Sequence, residues 1–248
     1  MQHLIAYENL LESATLVVSS EATGFEGANA ATWTTYDYWK PAATGTSYIT
    51  ATLGASNNVD YFAVFAHNLA TTTSTIKLQY TLNDVDWIDL TTAVSTPDVI
   101  FKKFTSVTSA KYRVVLSCPT AVASIGVIAF GAVMDIPCGV PESMVTPDRA
   151  FGNEFMSNIG DEGRLLGNTL LRNAADITIE AKLQDPTWIT SYWMPFTTHA
   201  ETKAFFYSWD DDYKAAFCWA SGKITDIKYV GGIWNDAEIN VKAQTWLS

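Results

Sequence analysis

Thr75-Ile76-Lys77-Leu78-Gln79-Tyr80-Thr81-Leu82, followed by Asn83-Asp84-Val85-Asp86 and Trp87, decides the fold class. Apolar residues fall on every second position, the period of a strand with one face on a core, which sends Lys77 and Gln79 toward water. The Asn83–Asp86 stretch is turn chemistry, because short polar side chains hydrogen-bond their own backbone. It returns the chain to the core at Trp87. Outward from this hairpin the same signal repeats: 48–53, 59–66, 87–90, 111–116 and 126–134 are β-branched or aromatic runs of strand length between Gly-, Asn-, Asp-, Pro- or Thr-rich turns. The spacing predicts a mainly β protein whose N-terminal part is an antiparallel β-sandwich.

Further along, Ile136-Pro137-Cys138-Gly139-Val140-Pro141-Glu142 puts two prolines and a glycine where no strand ladder can continue. A linker here divides the chain into domains 1–135 and 136–248. Beyond it, 165–172 reads as a strand or a short helix. Ile177, Ile179, Ala181 and Leu183 share one strand face. Asp185-Pro186 reads as N-cap and first residue of a helix. Trp188, Ile189, Tyr192 and Trp193 then follow at helical spacing until Pro195 interrupts them. Strands resume at 204–209, 213–220, 224–230 and 237–243, with Asp210-Asp211-Asp212 and Gly231-Gly232 as turns. The second part is therefore a smaller β-rich domain carrying one helix.

Composition excludes several functions. A formal net charge of -11 leaves no footprint for a phosphate backbone, so nucleic acid is not an expected partner. With 48% hydrophobic and 17% charged residues the chain has ample apolar surface for packed cores. The most apolar run, 121–137, is broken by Ser124 and Gly126, and 1–13 carries Glu8 and Glu12 where a signal peptide needs an apolar centre. Neither membrane insertion nor export is expected. Cys118, Cys138, Cys218, His3, His67 and His199 show no local zinc spacing, so neither metal nor cofactor is expected. Unpaired cysteines fit synthesis in a reducing cytoplasm.

The candidate catalytic groups fare no better. Asp210-Asp211-Asp212 lacks the glycine and distal Glu of a calcium loop and reads as a solvated turn. Asp84 and Asp86 leave one tight turn on the same side, without a buried partner carboxylate. His67 ends a strand with no nucleophile-elbow motif elsewhere. No enzyme is expected. The richest feature is aromatic: Trp33, Tyr36, Tyr38 and Trp39 fall within seven residues, where flat rings with polar tips can stack on sugars, anchor an interface or plug a sandwich. In an extended stretch Tyr36 and Tyr38 share one parity, and Trp33, Asp37 and Trp39 the other. Assigning the larger Trp rings to the core leaves Tyr36 and Tyr38 as the candidate ligand or partner residues.

Trp33 in an early loop, the 48–54 strand, 59–67, 76–80, the turn into Trp87-Ile88-Asp89-Leu90 and the late Tyr112-Arg113-Val114 strand resemble, in order and spacing, the galactose-binding or discoidin-type jelly roll over residues 10–135. That resemblance implies a non-catalytic carbohydrate-binding module. In the second part, Ile177-Thr178-Ile179-Glu180-Ala181, Trp193-Met194-Pro195-Phe196, 204–209, 213–219 and Val230-Gly231-Gly232-Ile233-Trp234 resemble small tailed-bacteriophage virion proteins of the tail or adaptor kind. This second likeness implies a structural subunit in many copies, made in a host cytoplasm and residing in the virion. Its partners would be other virion proteins, further copies of the chain and host-surface glycan. Six of the nine Trp lie after residue 135, more aromatic surface than so small a core easily buries alone, which also points to assembly. The virion subunit is the leading expectation and the carbohydrate-binding module its alternative.

Overall fold

The structure, a computed structural model, describes residues 2–137, 145–150, 154–172, 174–210 and 212–245. The expected linker and Cys138 lie mostly outside them. The fold is mainly β, as expected, built from antiparallel strands with one continuous helical stretch in its second half.

Short elements come first: β1 (His3–Ala6), α1 (Leu10–Ser13) and β2 (Thr15–Val18). Asn9 caps α1 by accepting from the Leu11 amide at 3.1 Å. Then β3 (Gly45–His67) runs through what the sequence suggests are two strands. With β4 (Thr75–Thr81), β5 (Ile88–Asp89), β6 (Ile100–Cys118) and β7 (Ile125–Gly131) it forms a sheet ordered β2-β3-β6-β4-β5, with β7 also on β3. Register shifts between Thr52/Asn57 and Val59/Tyr61 bend the long β3–β6 ladder, so one pair of strands serves both layers of a sandwich. The first core fills that curl, with Ile49, Ala51, Phe62, Val64, Ile76, Leu78, Tyr112 and Val114.

Alternation along β3 explains what lies outside the curl. Phe62 and Val64 point into the first core, whereas Tyr61, Ala63 and Phe65 point the other way and are equally buried. They meet Leu4, Ala6, Phe206 and Phe217 in a second core shared by both ends of the chain. This core belongs to the packing of the curl against a further sheet. That sheet contains β8 (Met134–Ile136), β11 (Ala175–Gln184), β12 (Phe205–Ser208), β13 (Ala215–Ala220), β14 (Lys228–Val230) and β15 (Trp234–Gln244), ordered β11-β15-β13-β12-β1-β8 with β14 on β15. The first strand of the chain thus sits between β12 and β8. Between β8 and β11 the chain forms a separate two-stranded hairpin, β9 (Glu154–Ile159) and β10 (Leu165–Arg172), which settles 165–172 as a strand.

On the far face of this second sheet Ile177, Ile179, Phe205, Tyr207 and Ala216 pack under the helical stretch in a third core. Asp185 caps that stretch, accepting from the Thr187 amide at 2.7 Å. Contrary to expectation, Pro195 does not end it. A short α2 (Pro186–Trp188) passes into a π turn (Ile189–Trp193) and on into α3 (Met194–Ala200), so Pro195 falls in the first turn of α3, where a missing N–H costs least. Trp193 and Phe196 are fully buried on the sheet side.

Two residues of the deciding hairpin also depart from expectation. Gln79 is buried rather than facing water, because its amide donates to Asp89 and its carbonyl accepts from Arg113 Nε at 2.8 Å. Trp87 does not re-enter the core. It lies half-buried on the outer face of the sheet with the Arg113 guanidinium 4.2 Å from its ring centroid, and Tyr48 flanks the same guanidinium at 4.6 Å.

Candidate functional site

The loop carrying Trp33 to Trp39 is pinned at both ends. At its start a 3₁₀ turn (Gly27–Ala31) leads into Thr32, whose hydroxyl donates to the Asn29 carbonyl at 3.0 Å. Trp33 then enters the second core, edge-on to His199 with centroids 5.3 Å apart and near Phe206 and Phe217. At its end the Trp39 backbone bridges to Ile125 in both directions, and the Trp39 indole N–H donates to the Ser20 carbonyl at 3.0 Å. Trp33 and Trp39 are buried, as their parity suggests. Between these anchors Tyr36 stands 77% exposed. Tyr38 shares its parity but not its setting: it is half-buried and stacks on Phe25 at 4.7 Å.

Tyr36 rims a cleft of about 460 Å³ between this loop and the second half of the chain. The opposite wall is the turn after α3, residues 200–204, held by the His199 ring against the Ala204 carbonyl at 2.8 Å. Burial keeps His199 below the ordinary histidine range, so the ring is neutral and this contact is Nε2–H to carbonyl oxygen. Phe217 and the half-buried Trp219 of β13, with Gln244 of β15, complete the lining. Thr34, Thr35 and Thr202 supply hydroxyls, Glu201 a carboxylate, and Lys203 an ammonium whose partner is Glu12. Flat aromatic surface beside a few polar groups that fix orientation is how small-ligand sites are made. Of the two tyrosines singled out by sequence, only Tyr36 lines this cleft.

A second cleft of about 470 Å³ lies where 94–102 meets the Trp209–Ala215 turn. Its lining mixes Asp98, Asp148 and Asp212 with Lys102 and Lys214, and Trp209 is only 3% exposed, leaving little ring face for stacking.

The carboxylates and histidines weighed from sequence lie apart. Asp84 pairs with Lys111 at 3.1 Å, and Asp86 accepts from Asn83 Nδ2 at 2.8 Å in the same exposed turn. His67 Nε2 lies 3.2 Å from the Asp98 carbonyl, and burial lowers its pKa. Asp210 accepts from the Lys214 amide at 2.8 Å, closing the expected turn, while Asp211 is outside the described residues. Cys118 and Cys218 are buried free thiols. Among the described residues no cluster of three potential metal ligands occurs, and no helix is long and apolar enough to cross a membrane.

No protein-family model matches the sequence, and neither does any curated protein. Solved structures are similar over about half of the chain. A chitosan-binding module from a Paenibacillus sp. IK-5 chitosanase/glucanase is 21% identical, covering 50% of this chain and 99% of its own, with a TM-score of 0.43. A Clostridium perfringens module in complex with GalNAc-β-1,3-galactose is 15% identical over 50% of this chain and 100% of its own, also at 0.43. A Ruminococcus gnavus fucosidase in complex with fucose is 18% identical over 51% of this chain and 27% of its own, at 0.44. Likenesses at this level carry no argument about ligand or activity. They include the kind of module that the first sequence resemblance names, and no support for a virion role comes from them.

Proposed function

We propose that this chain is a non-catalytic carbohydrate-binding protein whose ligand site is the Tyr36 cleft. The observation that carries the reading is Tyr36 itself: a ring 77% exposed, on a loop pinned at Trp33 and Trp39, over a cleft that Trp219 also lines. An aromatic held open at low entropic cost is suited to stacking on the apolar face of a sugar ring, and the surrounding hydroxyl, carboxylate and amide groups to reading its hydroxyls. The non-catalytic part draws support from Asp84, Asp86 and Asp210, which are engaged in turns and ion pairs away from the cleft and leave Glu201 without a second carboxylate in its lining. Glycan-array screening followed by titration calorimetry tests the reading. Tyr36→Ala and Trp219→Ala are each expected to weaken the best glycan at least tenfold without lowering the melting temperature of Tyr36→Ala. Absence of glycan binding, or binding indifferent to both changes, overturns it. The virion role draws no support from this geometry and stands as a separate proposal, tested by detecting the chain in purified particles.

A further inference from the structure

Arg113 is a cation held from three sides and left without an ion partner. It lies on β6, the middle strand of the first sheet, on the face turned away from the first core, since Tyr112 and Val114 on either side of it point inward. Its guanidinium carbon is 4.6 Å from the Tyr48 ring centroid and 4.2 Å from that of Trp87. One ring reaches it from β3 on one side of β6, and the other from the residue before β5, beyond β4 on the opposite side. Its Nε donates to the Gln79 side-chain carbonyl at 2.8 Å, and Gln79 is itself held by Asp89. Among the described residues the two Nη groups have no hydrogen-bond or ion-pair partner. The nearby acids are engaged elsewhere: Asp89 pairs with Lys77 at 2.8 Å, Asp84 with Lys111 at 3.1 Å, and Asp86 accepts from Asn83. Partial burial pulls Arg113 below the ordinary arginine value, as expected of a charge short of water.

We infer that Arg113 anchors a glycan site on the outer face of the first sheet, separate from the Tyr36 cleft, and that this site takes a carboxylate-bearing sugar, a uronate residue of an acidic polysaccharide. With Nε engaged and a ring on either flank, the edge of the guanidinium left open is the one carrying Nη1 and Nη2. Two parallel N–H donors in one plane match the two oxygens of a carboxylate. The two rings and the chain from Gln79 through Asp89 to Lys77 hold the guanidinium in place before any ligand arrives, so binding does not have to immobilise a flexible side chain. The surface beside the fork suits a sugar. Tyr48, Thr50 and Thr52 alternate outward along β3, where Ile49 and Ala51 point into the core, and they set a half-buried ring and two hydroxyls in a row. An acidic peptide would find no strand edge to add to here, because β3, β6 and β4 are each paired on both sides. The site shares no residue with the Tyr36 cleft and does not rest on its reading.

Titration calorimetry of the full chain against hexamers of galacturonate, mannuronate and guluronate, well below the melting temperature of each variant, tests it. At least one hexamer is expected to bind. Methyl esterification of its carboxylates, Arg113→Gln and Arg113→Lys should each weaken that binding at least about tenfold. Esterification changes only the ligand, so its effect cannot come from misfolding, and the lysine variant keeps the charge while removing the fork. Tyr36→Ala should leave the affinity unchanged, whatever the cleft itself binds. No binding by any hexamer overturns the inference. So does binding that survives esterification or the Arg113 substitutions, binding that Tyr36→Ala removes, and a hexaglutamate peptide or a sulfated hexasaccharide held as tightly as the best uronate.

Discussion

Trp33 and Tyr36 lie three positions apart and answer to opposite forces. Truncating Trp33, 8% exposed and ringed by His199, Phe206 and Phe217, removes a large aromatic from a shared core and is expected to cost about 3–5 kcal/mol. Tyr36→Ala should melt like the wild type, and thermal melts of the pair check both statements. The parity of an extended stretch was enough to read these two faces from sequence, because a buried indole and an exposed phenol on alternate residues need no tertiary knowledge. It failed at Tyr38, whose ring finds Phe25, thirteen positions earlier by chain and invisible to any local pattern. His199 carries a second residue-scale prediction. Burial holds both His199 and His67 below the ordinary histidine range, so the unfolded chain binds more protons than the folded one as pH falls through about 6.5. Their contribution to stability is present above that pH and is lost progressively toward the lowered folded values. The melting temperature should therefore drop between about pH 7 and 5, and His199→Gln should shrink the drop. Glu8, raised by burial, acts with the opposite sign close to the ordinary carboxylate range and does not mimic this signature.

At the scale of elements, strand existence and turns were legible and strand length was not. Six short runs with β-branched residues mark the sandwich, but β3 and β6 pass through the polar stretches 54–58 and 105–110 without stopping. The polar residues there sit where the ladder bends outside the first core, and a bend keeps its hydrogen bonds while shedding its apolar code. The stack of Tyr48, Arg113 and Trp87 was equally hidden, since it assembles from three separate segments, with Gln79 holding the guanidinium from a fourth and Asp89, next to Trp87, holding Gln79. Arg113→Ala is expected to cost about 1–2 kcal/mol, the loss of two ring faces and a charge-assisted bond. Trp87 should then emit at longer wavelength, because the guanidinium no longer shields its ring. Unchanged stability would mean the stack is ornamental.

For the whole molecule, the cleft is where the sequence could say least. Tyr36 was a candidate, but its opposite wall comes from residues 200–204 and from Trp219, and no motif connects segments so far apart. The second core shows the same thing energetically: Leu4, Ala6, Tyr61, Phe65 and Val127 from the first part share it with Phe206, Ala215 and Phe217 from the second. A fragment ending at residue 135 would expose that surface, so it should precipitate or bind hydrophobic dyes, whereas the full chain should melt in one calorimetric transition with equal calorimetric and van't Hoff enthalpies. Two resolved transitions would show that the halves are energetically separate. The placement of β1 has a further consequence, for the order of events during synthesis. All four residues of His3–Ala6 are buried, and the His3 ring lies 2.6 Å from a hydroxyl on Tyr207, 204 positions along the chain. Sheets joined over such spans close slowly, because the loop entropy must be met before the contact returns anything. As the chain leaves the ribosome, β8 can offer β1 a three-residue neighbour, but its other edge waits, apolar and unpaired, until residue 208 has emerged. Translation speed and chaperone supply would therefore govern the yield of this protein more than its final stability does.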